Sequence, residues 1–236
     1  QRVRKAIEPI GNARPDWQII CDLAKRLEAR LGADKPKAKF PSWDYAHPRE
    51  VMAEINAVTP SYGGITYDRI ERIGLQWPCS TTDHPGTPIL HVGKFSRGLG
   101  KFHAVEWQPA TELPDDEYPF VLTTGRVLYH YHGGTMTRRS AGLSQVYAEA
   151  LVEINPKDAA RLGIVDGDLV KVASRRGEVV AKAEVVNRPH PGVIFMTFHF
   201  REAAANLLTI AALDPVAKIP EFKVAAVRIE PITSKT

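Results

Sequence analysis

The chain has 236 residues, enough for one large domain or two modest ones, and at 44% hydrophobic and 25% charged it has ordinary globular composition. The formal charge of +4 comes from dispersed Lys and Arg rather than a basic tract, so nucleic-acid binding is not expected. No apolar run is long enough for a membrane span, and two unaccompanied cysteines, Cys21 and Cys79, support neither a disulfide framework nor a zinc or iron–sulfur site.

The first residues, Gln1-Arg2-Val3-Arg4-Lys5, lead into mixed sequence without the apolar core of a signal peptide. The chain does not begin with Met, so the expectation is a piece of something longer. Pro15-Asp16 opens a predicted helix, with Trp17, Ile20, Leu23, Ala24 and Leu27 at helical spacing to about Leu31. Gly32 is the expected stop, and Pro36–Pro41 an expected loop. Pro48–Ala57 reads as a short helix with Val51, Met52 and Ile55 inward, and Thr66–Ile73 as another, broken by Gly74. After the turn-rich stretch from Gln76 to Pro88, Ile89–Val92 and Phe102–Trp107 read as two strands around Gly98–Gly100.

The acidic turn Leu113–Glu117 marks a domain boundary, dividing residues 1–110 from 111–236. Beyond it, Phe120–Thr123 and Leu151–Ile154 are strands. Asn155, Pro156, Asp158 and Gly163 have the types and spacing of a helix cap, first turn and terminus. Asp166-Gly167-Asp168 is a tight turn, and Leu169–Ala173 pairs with Val179–Val186 across Arg175-Arg176-Gly177. Pro191-Gly192 turns into Val193–Phe198, and Val224–Ile229 is a last strand. Many short strands with one or two small helices predict a closed β-barrel.

The run Thr123–Arg139 is the densest polar cluster, with three glycines, four threonines, three arginines and two histidines directly after a strand. Glycines admit a ligand to the backbone, N–H groups at a strand end cradle anionic oxygens, and Arg126 has the fork for a phosphate. From these residues alone the run reads equally as a surface loop with incidental charge. A zinc site at His130 and His132 lacks nearby further ligands, and acid–base work by the same pair lacks a nucleophile. Thr197–Arg201, with Asn206 beyond it, forms a second polar knot, in which His199 ends an apolar strand and Asn206 carries donors and acceptors suited to a heterocycle edge.

Thr123-Thr124-Gly125-Arg126 with His130 and Gly134–Thr137 resembles the cofactor loop of the molybdopterin oxidoreductases related to dimethyl sulfoxide reductase. Ala159–Ile164, Asp166–Val170, Ser174–Gly177, Leu213–Pro215, Pro220–Lys223 and Ala226–Ile229 resemble the dinucleotide-binding domain of that family, over roughly half the chain. The resemblance implies a mixed α/β chain ending in a double-psi β-barrel of the aspartate-decarboxylase-like type, preceded by an incomplete α/β segment. Asn12–Trp17 and Gly74–Pro78 are similar to formate dehydrogenase sequences, which implies interconversion of formate and CO2 at molybdenum or tungsten held by a pair of molybdopterin guanine dinucleotides (bis-MGD).

Carried across on the matching motifs, Thr124, Gly125, Arg126 and His130 are implied to touch one dinucleotide, with Thr135, Met136 and Thr137 continuing the loop. His199, Asn206, Phe222 and Lys223 are implied to face a pterin or guanine. Neither cysteine sits in the family's metal-ligand context, so the metal ligand and catalytic groups are expected outside this chain, which alone should be inactive. The implied partners are the remainder of the catalytic subunit and iron–sulfur, flavin or NAD electron-transfer subunits. The parent's own iron–sulfur cluster is not expected to be bound here. The expected location is cytoplasmic, with the periplasm open. A periplasmic-type nitrate reductase shares the same loop and barrel motifs, and a free-standing β-barrel binding module is the reading from another class.

Overall fold

The computed structural model describes residues 1–31 and 43–232. The expected helix stop at Gly32 and the loop Pro36–Pro41 lie outside the described residues. Two compact units divide the chain, Gln1–Ala104 and Val105–Thr236.

In the first unit, α1 spans Asp16–Leu31 and α2 spans Pro48–Val58. Pro48 opens α2, and the His47 ring accepts the Arg49 N–H, satisfying a donor at the helix start. The predicted α1 spacing is present, but only Cys21 is buried. Ile20, Leu23 and Leu27 remain about half exposed. Met52 packs against a small core of Ile65, Ile70 and Cys79, whereas Ile55 stays exposed.

Two expectations fail in this unit. Thr66–Ile73 is a series of turns, closed by Ile70 N–H to Thr66 O (3.1 Å) and Glu71 N–H to Asp68 O (3.4 Å). Arg69 draws this segment onto its neighbours by donating to Gly64 O (2.6 Å), Thr81 O (3.2 Å) and His84 O (2.7 Å), and eight residues cannot outweigh that by helix propensity. Ile89–Val92 and Phe102–Trp107 are not strands either. The region holds one antiparallel bridge, Phe95 with Gly98, and Val92, Phe102 and Trp107 lie in solvent. A strand pattern without a partner strand has nothing to bury against.

The second unit is a closed barrel in the order β1-β5-β2-β4-β3-β6. Its strands are β1 Phe120–Gly125, β2 Leu151–Ile154, β3 Leu169–Ala173, β4 Glu178–Val185, β5 Val193–Thr197 and β6 Ala225–Pro231. β1 with β5 and β2 with β4 are parallel pairs, and the other neighbours are antiparallel. This is the double-psi arrangement expected, and closure leaves no free sheet edge. Alternation turns Leu122, Val152, Ile154, Val170, Val172, Ile194, Met196 and Val227 inward at essentially zero exposure. Each contributes about 1.5–3 kcal/mol by leaving water.

Between β1 and β2 lies α3 (Ala141–Val146), a six-residue helix too short to show a periodicity in sequence. Between β2 and β3 runs α4 (Pro156–Leu162), built as its sequence signals require. Asn155 accepts the Lys157 N–H at 3.0 Å, and Gly163 terminates the helix at φ +70°. Asp158 does more than favour the helix N-terminus. Its buried carboxylate accepts from Gly192 N–H (2.7 Å) and Arg161 (3.0 Å), which anchors the turn into β5.

Candidate functional site

Register brings the candidate residues to one end of the barrel. Because β1 and β5 run parallel, with Gly125 beside Thr197, the chain leaves both strands at the same end. β6 is antiparallel to β1, with Ala225 beside Leu122, so Phe222 and Lys223 enter at that end too. Three stretches far apart in sequence therefore converge: 124–139, 197–206 and 222–223.

The first cluster joins β1 to the entry of β6. The buried Thr124 hydroxyl donates to Phe222 O at 2.7 Å, and the Lys223 ammonium donates back to Thr124 O. A Cβ at Gly125 would stand 2.7 Å from the Phe195 ring, so only glycine lets that ring lie against the backbone. Arg126 is exposed, with its guanidinium 5.6 Å from the centre of the Phe198 ring. Beside it opens a cavity of about 660 Å³, lined in part by Thr123, Phe195 and Glu153, which share a register row across β1, β5 and β2.

The second cluster centres on His130, which is buried. Its Nε2 lies 2.8 Å from Tyr147 O, which can only accept, so Nε2 carries the proton. Nδ1 therefore accepts from the Thr137 hydroxyl at 3.1 Å, and Thr137 Oγ1 accepts the Tyr131 N–H at 3.1 Å. Both ring nitrogens are spent on the protein, so His130 shapes the loop and offers a ligand only its ring. The His199 ring lies 4.7 Å from His130 and 4.0 Å from Phe200, while Tyr147 stacks on Phe200 at 6.0 Å. Arg138 sits over the Phe200 ring at 4.8 Å and pairs with Glu202 at 2.9 Å.

Both residues are more than nine-tenths buried, and among the described residues His199 Nε2 and Thr197 Oγ1 have no hydrogen-bond partner. Such groups cost free energy until a partner supplies the bond, which suits a polar ligand seated at this end. Thr135, Met136 and Asn206 are exposed and joined to neither cluster by a side-chain bond. Asn206 rides on the turn Ala205–Leu207, and its carbonyl accepts from Thr209 at 3.0 Å.

Sequence reasoning missed Tyr147, Glu112 and Glu202. Tyr147 acts through its backbone carbonyl, which carries no side-chain signature. Glu112 accepts from Arg176 (2.8 and 2.9 Å), Arg175 (2.9 Å) and the Ala226 N–H (2.9 Å), partners more than sixty residues away.

Two titrations give these contacts a pH signature. Burial first, then His130 and Arg138, hold His199 down at about 4 against an ordinary 6.5. The folded chain keeps it neutral where the unfolded chain binds a proton, so stability is lost as pH falls from 6.5 toward about 4. Burial pushes the Glu112 carboxyl up, but the bonds from Arg176, Ala226 and Arg175 outweigh it and hold the group at about 2. Its contribution is complete above about 4.5 and lost as pH falls toward about 2. Urea midpoints measured against pH should show both limbs. His199→Phe should flatten the upper limb, worth about 2 kcal/mol, and Glu112→Gln only the lower. An unchanged upper limb in His199→Phe would refute the buried neutral imidazole.

Among the described residues no group of three or more His, Cys, Asp or Glu is placed to hold a metal ion, and no helix is long and apolar enough to cross a membrane. Residues 120–226 match the family described as "Molydopterin dinucleotide binding domain". Both clusters lie within the matched residues.

The chain is also 50% identical, over 98% of its length, to the F420-dependent formate dehydrogenase subunit alpha of Methanocaldococcus jannaschii. It is 37% identical over its whole length to formate dehydrogenase H of Escherichia coli. Over 98% it is 37% identical to the assimilatory nitrate reductase catalytic subunit of Bacillus subtilis. It spans about a third of the length of these curated relatives. Among solved structures, acetylene hydratase from Pelobacter acetylenicus superposes with a TM-score of 0.61 at 14% identity, covering 96% of this chain and 34% of that one. That likeness carries the fold alone.

Proposed function

We propose that this chain is the C-terminal part of the catalytic subunit of a molybdenum- or tungsten-dependent formate dehydrogenase, interconverting formate and CO2. Residues 111–236 are the barrel that covers a bis-molybdopterin guanine dinucleotide, and residues 1–110 complete α/β domains supplied by the rest of the subunit. The observation that carries the reading is the convergence of Thr124–Thr137, Thr197–His199 and Phe222–Lys223 at one end of a dinucleotide-binding barrel.

The residues present fit such a ligand. Arg126 offers an exposed guanidinium, without an ion pair among the described residues, for an anionic oxygen. Thr197 Oγ1 and His199 Nε2 offer buried polar atoms that lack partners. When bound, the metal–pterin centre supplies the two-electron chemistry. This chain's part is to bind and orient, with the metal ligand and catalytic groups outside it and with the parent's iron–sulfur cluster also held elsewhere. The electron-transfer partners are iron–sulfur and flavin- or NAD-linked subunits in the cytoplasm. The higher identity to F420-dependent relatives favours F420 as the final acceptor.

The test is metal and guanine-nucleotide content of the full-length subunit, purified anaerobically and assayed with formate. About two guanine nucleotides per metal with formate-dependent dye reduction is the expected result. The same content with nitrate activity in place of formate activity would transfer the chain to the nitrate reductase branch, and absence of both nucleotide and metal would leave a binding module. In the same assay Arg126→Ala should weaken cofactor retention by about 1.5–3 kcal/mol, and full retention would remove Arg126 from the site.

A further inference from the structure

The proposed ligand segments are not all held by the sheet. Asn206 sits in the short 3-10 helix Ala205–Leu207 and Phe222–Lys223 in irregular chain, with no strand ladder to fix their separation. A short pre-barrel stretch, Thr111-Glu112, touches the supports of both.

On one side, Thr111 donates through its N–H and its hydroxyl to the Glu221 carboxylate (3.2 and 2.9 Å), next to Phe222. Glu112 accepts the N–H of Ala226, where β6 begins, at 2.9 Å. Phe222–Lys223 is thus bracketed on both flanks by consecutive residues. On the other side, Glu112 takes both terminal nitrogens of Arg176, at 2.8 and 2.9 Å, in a two-point fork. The same guanidinium donates from Nε (3.1 Å) and Nη2 (2.9 Å) to Leu208 O, which closes the Asn206 turn. Leu208 is fully buried, and a Cβ at Gly177, beside Arg176, would come within 3.3 Å of Leu207 O, so hairpin tip and turn are in direct contact. The Glu112 side chain is about one-tenth exposed, so water competes weakly for this fork.

We propose that Glu112 and Arg176 are positioning residues, a strap that sets the Asn206 turn at a fixed distance from Phe222–Lys223. It rests on the reading that Asn206 and Lys223 face the cofactor. The strap touches no ligand. It acts by holding two recognition groups in register with each other, where a displacement near 1 Å is costly.

The test is a double-mutant cycle in the full-length subunit, reading guanine nucleotide retained per polypeptide after extended gel filtration, with melting temperature measured alongside. Arg176→Met should lower retention about ten-fold, Arg176→Lys should recover part of it, and Asn206→Ala should lower it on its own. Because Arg176 acts through the Asn206 turn, Arg176→Met with Asn206→Ala should retain no less than Asn206→Ala alone. Losses that multiply would show Arg176 to be a fold-stabilising residue only, and would overturn the proposal while leaving the cofactor reading intact. Full retention in Arg176→Met with loss in Asn206→Ala would do the same. Full retention in Asn206→Ala would remove Asn206 from the site and the strap's purpose with it. Should Arg176→Met not fold, Glu112→Gln, which keeps an acceptor for Ala226, replaces it. A smaller loss that is again non-additive with Asn206→Ala supports the strap, and a multiplying one overturns it.

Discussion

Gly134→Val is expected to destabilise the barrel by about 3 kcal/mol and to empty the loop of its ligand-holding shape. Gly134 has φ +68°, a conformation that a β-branched residue scarcely adopts. Space is also lacking. A Cβ there would stand 2.9 and 3.0 Å from Arg138 Cδ and Cγ, and 3.1 Å from Cδ2 of the buried His199 ring. Arg138 cannot swing away freely, since it pairs with Glu202, covers Phe200 and donates its own N–H to Gly134 O at 2.9 Å. Gly134→Ala should show the same effect at about 2 kcal/mol. Denaturation midpoints and cofactor content would be measured together. A valine variant with unchanged midpoint and full content would mean that the loop does not need this backbone.

Phe200→Ala should cost more, about 3–5 kcal/mol, as expected for a large aromatic removed from a closed core. Phe200 is 2% exposed and is the common neighbour of His199, Tyr147, His130 and Arg138. Its loss leaves a void under both histidines, so the Thr137–His130–Tyr147 chain of hydrogen bonds should loosen as well. Phe200→Leu, which refills most of the volume, should cost about 1 kcal/mol and keep the chain of bonds. Calorimetry on the two variants decides the matter. Equal, small losses would show that the ring is not a keystone of this end.

How much of this was legible in the residues depended on distance along the chain. Asn155, Pro156 and Gly163 announce α4 because cap, first turn and terminus are each written within a few residues. Alternation in β4, where Val179, Ala181 and Ala183 are buried between exposed or partly exposed neighbours, is equally local. The glycine and arginine content of 123–139 marks, within a few residues, a stretch that the strand register places at one end of the barrel. By contrast, Thr66–Ile73 has a helix-like pattern, yet Arg69 spends its donors on carbonyls five to fifteen residues away, which no local rule anticipates. Phe102–Trp107 has a strand-like pattern and no strand beside it. His130 stood out as a ligand contact, but its tautomer is dictated by a backbone carbonyl seventeen residues on. Glu112 was invisible for the same reason, since its partners lie sixty-three to one hundred and fourteen residues away.

The pairing of β6 with β1 has a kinetic side. It joins Phe120 to Val227 across most of the unit, and such non-local closure comes at a high entropic cost and late in folding. Lys223 lies just ahead of β6, so it reaches Thr124 only when that final strand docks. During synthesis, β6 must have emerged before this end of the barrel exists. A chain lacking its last strand therefore lacks the contact between Lys223 and Thr124 that joins these two segments.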